Sequence, residues 1–402
     1  MTTLLVIIYI TFISLGLPDS LFGAAWPVMH ASFGLPESYA AMFSLVTGVG
    51  ASISSFFAGR LIRRYGTGLV TFFSVLLTAV ALIGISVSPS TAFVFGFCLL
   101  LGLGAGAVDS WLNNFVVLHY KAIHMNWLHC FWGVGVTASP LIMSRFLAGG
   151  DWRGGYRTVF YIQIGIAMLL LLTLPLWKKA AEEKQLDTKT EKTAEKKSFW
   201  QIFKTPGVPL SVLSIGLYCA MEFVVGTWGA SYAVNSKGLA PDEAARWVSL
   251  FFGGIMLGRF LAGIISIKVS DKNLIRGGIV ISVLGMVLLA LPIGASSLMG
   301  LLLLGLGFGP IYPSTIHIIP ERFGAEYSAD ITGYHMGLGY TLSYAAQITF
   351  GFAAAAYSYD FMPYMFLVIA AALLVLEEAL NKKTAKRAVS GLTAGGRYET
   401  EI

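Results

Sequence analysis

Three carboxylates stand where a carboxylate is expensive. Asp19 follows Pro18 inside an apolar segment at roughly 4–30, Asp109 lies in another at 91–118, and Glu222 in a third at 206–233. An ionised Asp at the centre of a bilayer costs on the order of 3 kcal/mol on insertion scales. One reason to keep such residues is chemical: burial favours the neutral carboxyl and moves its titration towards neutrality, so a proton can be bound and released within a cycle. The other is architectural, a hydrogen-bonded carboxyl tying one helix to its neighbour. For Asp19 and Asp109 the default for intramembrane ionisable groups favours the proton-coupling role. For Glu222 the two readings balance, because it could also bind a solute without titrating.

Around these carboxylates lies a neutral set at interior depth: Trp26, Trp111, Asn113, Asn114, His129, Trp132, Gln163, Trp228, Tyr312, His335 and Gln347. Sugars need this mixture, since amides and carboxylates engage hydroxyls while an indole covers the apolar face of the ring. The competing reading is packing or lipid exposure, and Trp26, near a segment end, also suits an interface anchor. His129 is placed to relay protons with Asp109 or to make a structural hydrogen bond. Arg259 is the one Lys or Arg deep inside an apolar segment and is assigned near the end of its helix. A site without Arg disfavours an anionic solute, which calls for bidentate recognition, and the substrate expected is small, neutral and polar. No Gly-x-x-x-x-Gly-Lys-Ser loop is present, so an ion gradient, or no energy source in uniport, replaces ATP. Neither catalytic nor metal-binding spacings are found; an enzyme is not expected, and no cofactor beyond a proton gradient.

The elements that hold these residues follow from composition. The 402 residues are 56% apolar and 12% charged, with a mean hydropathy of +0.74, which leaves too little polar surface for a soluble protein. Stretches of about 20 apolar residues, the length of a spanning helix, number twelve: roughly 4–30, 38–59, 68–88, 91–118, 126–147, 157–177, 206–233, 244–267, 275–293, 297–318, 327–353 and 360–380. The first has no Lys or Arg before it and no small-residue cleavage site, and reads as a retained helix rather than a signal peptide. The 45 glycines suit close helix approach in lipid. Cys98, Cys130 and Cys219 fall inside predicted helices without metal-ligand spacing and read as packing residues.

Assigning alternate loops to alternate sides puts 21 basic residues on one face: eight in short loops, eight in 178–204 and five after 381. Five fall on the other face, and Arg259 lies within a helix. The positive-inside rule makes the richer face cytoplasmic, with both termini there and a cell-membrane location. The net charge of +6 is then a topology signal and not a nucleic-acid footprint. Segment 178–204, with eight Lys and five acidic residues, reads as a cytoplasmic linker, part disordered or an amphipathic surface helix.

The two sides of that linker repeat one another. Leu99-Leu100-Leu101-Gly102-Leu103-Gly104-Ala105-Gly106 returns as Leu302-Leu303-Leu304-Gly305-Leu306-Gly307-Phe308-Gly309, an offset of 203 that also lays Asp19 on Glu222 and Gly23 on Gly226. At 204, Ala58-Gly59 falls on Ala262-Gly263, Arg64 on Lys268, Gly133 on Gly337 and Gly135 on Gly339. Ordered matches at nearly one offset predict an all-α membrane protein of twelve transmembrane helices in two pseudo-symmetric six-helix bundles. The bundles are 1–177 and 205–380, with the linker at 178–204, a cytoplasmic tail at 381–402, and a site between the bundles near the midplane.

In the fourth apolar segment, Gly104-x-Gly106-x-x-Asp109-x-x-x-Asn113-Asn114-Phe115 resembles the Gly-x-Gly-x-x-Glu-x-x-x-Asn-Pro-Phe stretch of the fucose permease group of the major facilitator superfamily, the fucose, galactose and glucose proton symporters. Asp19 matches that group's first-helix aspartate, and Leu217-Tyr218, Glu222 and Trp228 resemble its seventh-helix Leu-Tyr, Gln and Trp. The resemblance implies that the carboxylates of helices 1 and 4 handle the proton and contact sugar. Three departures stand out: Asp109 for Glu, Asn114 for Pro, and the extra carboxylate Glu222. The loop Gly59-Arg60-Leu61-Ile62-Arg63-Arg64-Tyr65-Gly66 resembles the superfamily's Gly-x-Leu-x-Asp-Arg-x-Gly signature with Arg63 in place of Asp; Arg60, Arg64 and Gly66 are the expected gating turn. The reading that results is a monomeric, lipid-embedded, proton-coupled symporter of a hexose-like sugar, working by alternating access. A proton-coupled exporter of drugs or amphiphiles is the alternative, and a non-transporting receptor or scaffold fits less well.

Overall fold

The computed structural model describes residues 2–119, 122–178, 198–291, 294–324 and 327–395. The N-terminal bundle runs α1a (Thr2–Asp19), α1b (Leu21–Ser32), α2 (Ala40–Tyr65), α3 (Thr67–Val87), α4 (Thr91–His119), α5 (Ala122–Leu147) and α6 (Trp152–Leu172). The C-terminal bundle runs α7 (Val208–Lys237), α8 (Pro241–Ile265), α9 (Asp271–Ala290), α10 (Gly294–His317), α11a (Ser328–Tyr334), α11b (Tyr340–Ala356) and α12 (Met362–Gly395). Among the described residues, nine helices are long and apolar enough to cross a membrane, and Thr91–Gly106 forms a shorter apolar helix. The architecture is the two-bundle helical fold that the repeat predicts.

The glycines of the repeat explain why the bundles look alike. A Cβ on Gly102 would run into the Thr47 carbonyl of α2, and one on Gly104 would meet Ser74 and Thr78 of α3. In the second half, Gly305 lies in the same way on Phe251 of α8, and Gly307 on Gly278 and Ser282 of α9. Each pair of contacts is displaced by 203 to 204 residues, so α4 and α10 are wedged between equivalent neighbours by equivalent backbone approaches. With lipid outside, van der Waals contact at such small residues is what joins helices.

Two interruptions shape the interior. Pro18 has no N–H to give the carbonyl of residue 14 and divides the first rod just after Asp19; Ser20 Oγ donates to the Val136 carbonyl at 2.8 Å, fixing the break against α5. A π turn at His335–Gly339 separates α11a from α11b; such single-turn bulges re-aim the residues that follow them, here Tyr340, Tyr344 and Gln347. Gly66 turns α2 into α3 at φ +82 while its N–H donates to Ile62 O at 2.8 Å. Only glycine adopts that backbone without strain.

The structure also moves boundaries. The α2 helix continues through Arg60, Arg63 and Arg64 to Tyr65, and α12 runs to Gly395 rather than ending at 380. The extension of α12 is held by Asn381, whose Oδ1 accepts from Arg322 Nη2 at 2.8 Å, and by Thr384, which bonds back to Leu380 O at 3.0 Å. Of the linker, residues 179–197 lie outside the described residues; the turn Phe199–Phe203 that follows is capped by Ser198 and Gln201 and shows Trp200 to the surroundings.

Candidate functional site

A cavity of about 280 Å³ lies between the two bundles, walled by α1, α2, α4 and α5 on one side and by α7, α8, α10 and α11 on the other. Across it runs a line of charge. Asp19 ends α1a, where the Pro18 break leaves its carboxylate exposed to the cavity, and Oδ2 accepts the indole N–H of Trp132 at 2.8 Å. That indole face covers the guanidinium of Arg259, whose carbon sits 4.6 Å from the ring centroid. Arg259 Nη2 in turn lies 3.7 Å from Glu222 Oε1, an ion pair whose side chains are 5% and 8% exposed. The order is therefore Asp19 and Trp132 from the N-terminal bundle, then Arg259 and Glu222 from the C-terminal one. A cation over a desolvated indole is worth up to about 2 kcal/mol, and the Trp132 ring, set edge-on to Phe252 of the C-terminal bundle at 6.5 Å, lies between the two bundles.

A polar shelf flanks this line. Thr227 Oγ1 donates to Gln347 Oε1 at 2.6 Å, and Ser44 Oγ approaches Thr227 Oγ1 at 3.4 Å. The remaining wall is aromatic: Phe12, Phe22, Phe223, Tyr340 and Tyr344 face the same space. His129 meets Phe12 edge-on at 6.0 Å and Tyr312 at 6.1 Å. With both carboxylates ionised, the three charged side chains sum to one negative charge; protonating Asp19 brings the site to neutrality.

Of the residues that the sequence singles out, the structure brings Asp19, Glu222, His129, Trp132, Tyr312 and Gln347 to the cavity wall. It places four others in helix joints. Trp26 is fully buried, with its N–H on Glu37 O at 2.7 Å and its ring against Phe22 and Phe43. Gln163 clamps α6 to α1a by taking Ser14 Oγ at 2.6 Å and giving to Ser14 O at 2.7 Å. Trp228 stands behind Gln347 and donates to its carbonyl at 3.0 Å. His335 is 3.1 Å from Ser211 Oγ, buried towards the face where the chain begins and ends. The reason is common to all four: a buried amide, indole or imidazole must find a partner, and a neighbouring helix supplies one as well as a solute does. The side chains of Asp109, Asn113 and Asn114 lie outside the described residues. Arg60 and Arg64 are exposed and rest against Phe57 and Tyr65 at 5.8 and 5.2 Å.

One expectation is overturned. Arg259, assigned near the end of its helix, lines the cavity. The premise that no cation reaches the site is wrong, because Glu222 on the facing helix neutralises the guanidinium and Trp132 covers it. Its cost in an apolar segment was the available signal. Its reach into the cavity depended on helix phase, which the segment boundaries leave open. Phe252, Thr227, Tyr340 and Tyr344 were missed for the same reason.

The sequence profile described as Major Facilitator Superfamily matches residues 8–348. Among curated relatives, the chain is 24% identical over 277 residues to bypass of stop codon protein 6 of Saccharomyces cerevisiae, a match covering 64% of this chain but only 56% of the yeast protein's length. It is 23% identical to the cis,cis-muconate transport protein of Acinetobacter baylyi, over 81% of each chain. With the glucose/mannose transporter of Bacillus subtilis it shares 21% identity over 76% of this chain and 77% of that one. The crystal structure of the E. coli fucose:proton symporter superposes with a TM-score of 0.63 at 14% identity, covering 94% of this chain and 98% of the symporter.

Proposed function

Because the chain belongs to the Major Facilitator Superfamily and is a multi-span membrane transporter, we propose that it is a proton-coupled symporter of a small, hydroxyl-rich solute of hexose-like size, working by alternating access. The observation that carries this reading is the line Asp19, Trp132, Arg259, Glu222 drawn across the cavity between the bundles. A carboxylate that faces the cavity in one bundle is coupled through an indole to a cation held by the other bundle. Protonating Asp19 therefore changes the charge balance on the surface along which the bundles rock. A solute that prefers one protonation state is linked to the proton by the same free energy with which the proton is linked to it.

The solute class is supported by the wall: hydroxyl and amide groups of Ser44, Thr227 and Gln347 stand beside aromatic faces, the pairing that a hydroxylated ring engages. The volume, close to the lower end of small-molecule sites, about 300 Å³, suits a single small ring. The sugars named for the glucose/mannose transporter and the fucose:proton symporter support the same reading. The basic-residue asymmetry supports a cell-membrane location with both termini cytoplasmic.

The test is solute-induced proton flux into proteoliposomes, screening hexoses and hexose derivatives with wild type, Asp19→Asn and Asp109→Asn. Solute-dependent proton entry that disappears in Asp19→Asn supports the symporter. If no sugar or sugar derivative evokes a response and cationic amphiphiles move protons instead, the protein is an exporter of the latter.

A further inference from the structure

Arg259 is more than the counter-ion of Glu222. Its side chain is 5% exposed and lines the cavity, yet the Glu222 oxygen at 3.7 Å is too far for a hydrogen bond, and its Nε is buried with no hydrogen-bond partner among the described residues. A buried guanidinium presents five donors in a planar fork, and leaving them unmet forfeits charge-assisted bonds. Trp132 covers one face of the fork at 4.6 Å, and Arg259 shares the cavity wall with Glu222. The other buried arginine among the described residues, Arg322, also has an Nε without a partner, but it differs in its ion pair: Arg322 Nη2 holds Glu377 and Asn381 at 2.8 Å each, against 3.7 Å between Arg259 and Glu222. The length of the ion pair, and not the unpartnered Nε, is what sets the cavity arginine apart.

We propose that the transported solute carries a carboxylate, and that it binds by taking Glu222's place on Arg259 while Glu222 takes up the co-transported proton. The proposal rests on reading the cavity as the transport site. It makes the solute a sugar acid or a similar hydroxylated monocarboxylate. The charges balance. The site begins with Arg259 positive and Glu222 negative; one solute carboxylate and one proton enter, Arg259 pairs with the solute, Glu222 becomes neutral, and the net charge is unchanged. If Glu222 kept its charge, two carboxylates would crowd one guanidinium in a low-dielectric space, which disfavours ionisation of one of them. Titratable or charged groups that line the same cavity as Glu222 from the other helices are Asp19, Cys98, His129, Tyr156, Arg259, Tyr312, Tyr340 and Tyr344. On its own helix stand Tyr218 and Cys219. Among these, Arg259 is the cation within ion-pair distance. Asp19, on the far side of Trp132, remains the coupling partner of the opposite bundle.

The decisive comparison uses wild-type protein and two probes differing at one carbon, D-glucose and D-glucuronate, in proteoliposomes. Glucuronate is expected to evoke proton entry and to bind about 30-fold or more tightly than glucose, the size of a charged hydrogen-bonded contact at a buried site. Its affinity is expected to rise towards acid pH by up to about tenfold per unit, one proton being taken up with it. In Glu222→Gln that pH dependence is expected to be largely lost. In Arg259→Lys, which keeps the charge but not the fork, glucuronate affinity is expected to fall by about tenfold or more, with folding checked by thermal unfolding in detergent. If glucose moves protons and binds as well as glucuronate, the carboxylate inference falls while the symporter reading stands. If neither probe nor any other sugar derivative binds, both fall. A pH dependence that survives in folded Glu222→Gln overturns the exchange.

Discussion

Gly23 and Gly226 offer a mechanical test of alternating access. They occupy equivalent positions of the repeat and touch each other where α1b meets α7, on the side of the cavity away from the chain ends. That side is also pinned by Asn235 Nδ2 to Glu37 Oε1 at 3.0 Å. Their surroundings are unequal. A Cβ on Gly23 would sit on the Gly226 carbonyl, with Thr227 Cα at 3.1 Å, whereas a Cβ on Gly226 would meet only Phe252 Cζ at 3.6 Å, an ordinary contact. Gly23→Ala must therefore push α1b and α7 apart by on the order of 1 Å, an overpacking cost of about 1–3 kcal/mol. Gly226→Ala should cost almost nothing. The cost is borne only by the state in which this side is closed, so the equilibrium shifts towards the opposite opening by a factor of about 5 to 150, at a tenfold change per 1.4 kcal/mol. Spin labels at the exposed residues Ala31 and Ala240 would report the change as a longer distance population in Gly23→Ala and not in Gly226→Ala. Gly23→Ala with a distance distribution and solute affinity equal to wild type would refute the reasoning, as would Gly226→Ala being the disruptive change.

Other outcomes follow from individual contacts. Trp132→Phe removes the N–H that Asp19 accepts and is expected to lower solute-induced proton flux by roughly tenfold or more, a charged hydrogen bond being worth about 1.5–3 kcal/mol; an unchanged flux would detach Trp132 from coupling. Gln163→Leu removes both bonds to Ser14 and is expected to lower stability by about 1–3 kcal/mol in thermal unfolding, with solute affinity unaltered; a large affinity loss without destabilisation would return Gln163 to the site. Glu377→Leu removes the counter-charge of Arg322 from a pair whose side chains are both 1% exposed, leaving the Asn381 bond, and is expected to destabilise by about 3–5 kcal/mol, seen as a lowered midpoint in detergent; a midpoint equal to wild type would contradict that burial.

The contrast between Gln163 and Gln347 shows where reading a sequence stops. Both are amides in apolar helices, both are buried, and both accept a hydroxyl hydrogen bond at 2.6 Å. One faces a neighbouring helix and the other the cavity, and residue type carries no trace of the difference. The same ambiguity sent Trp26 and Trp228 to joints and Trp132 to the centre of the site.

What the sequence by itself determined is what local physical chemistry controls. Apolar segments long enough to cross a bilayer, the glycines of the repeat that wedge α4 and α10, the turn at Gly66, the break after Pro18, and the cost that marks Asp19 and Glu222 all act within one helix or through a repeated spacing. Tertiary structure alone decided the phase of each helix about its axis and the depth of each side chain against its neighbour. Rotating a helix by one residue, about 100° at 3.6 residues per turn, leaves hydropathy untouched but exchanges a lipid-facing side chain for one in the cavity. For that reason Arg259, assigned by sequence to a helix end, reaches Glu222 only through the packing of α8 on α7, and meets Trp132, and through it Asp19, only once two bundles, each built from its own contacts, are laid face to face.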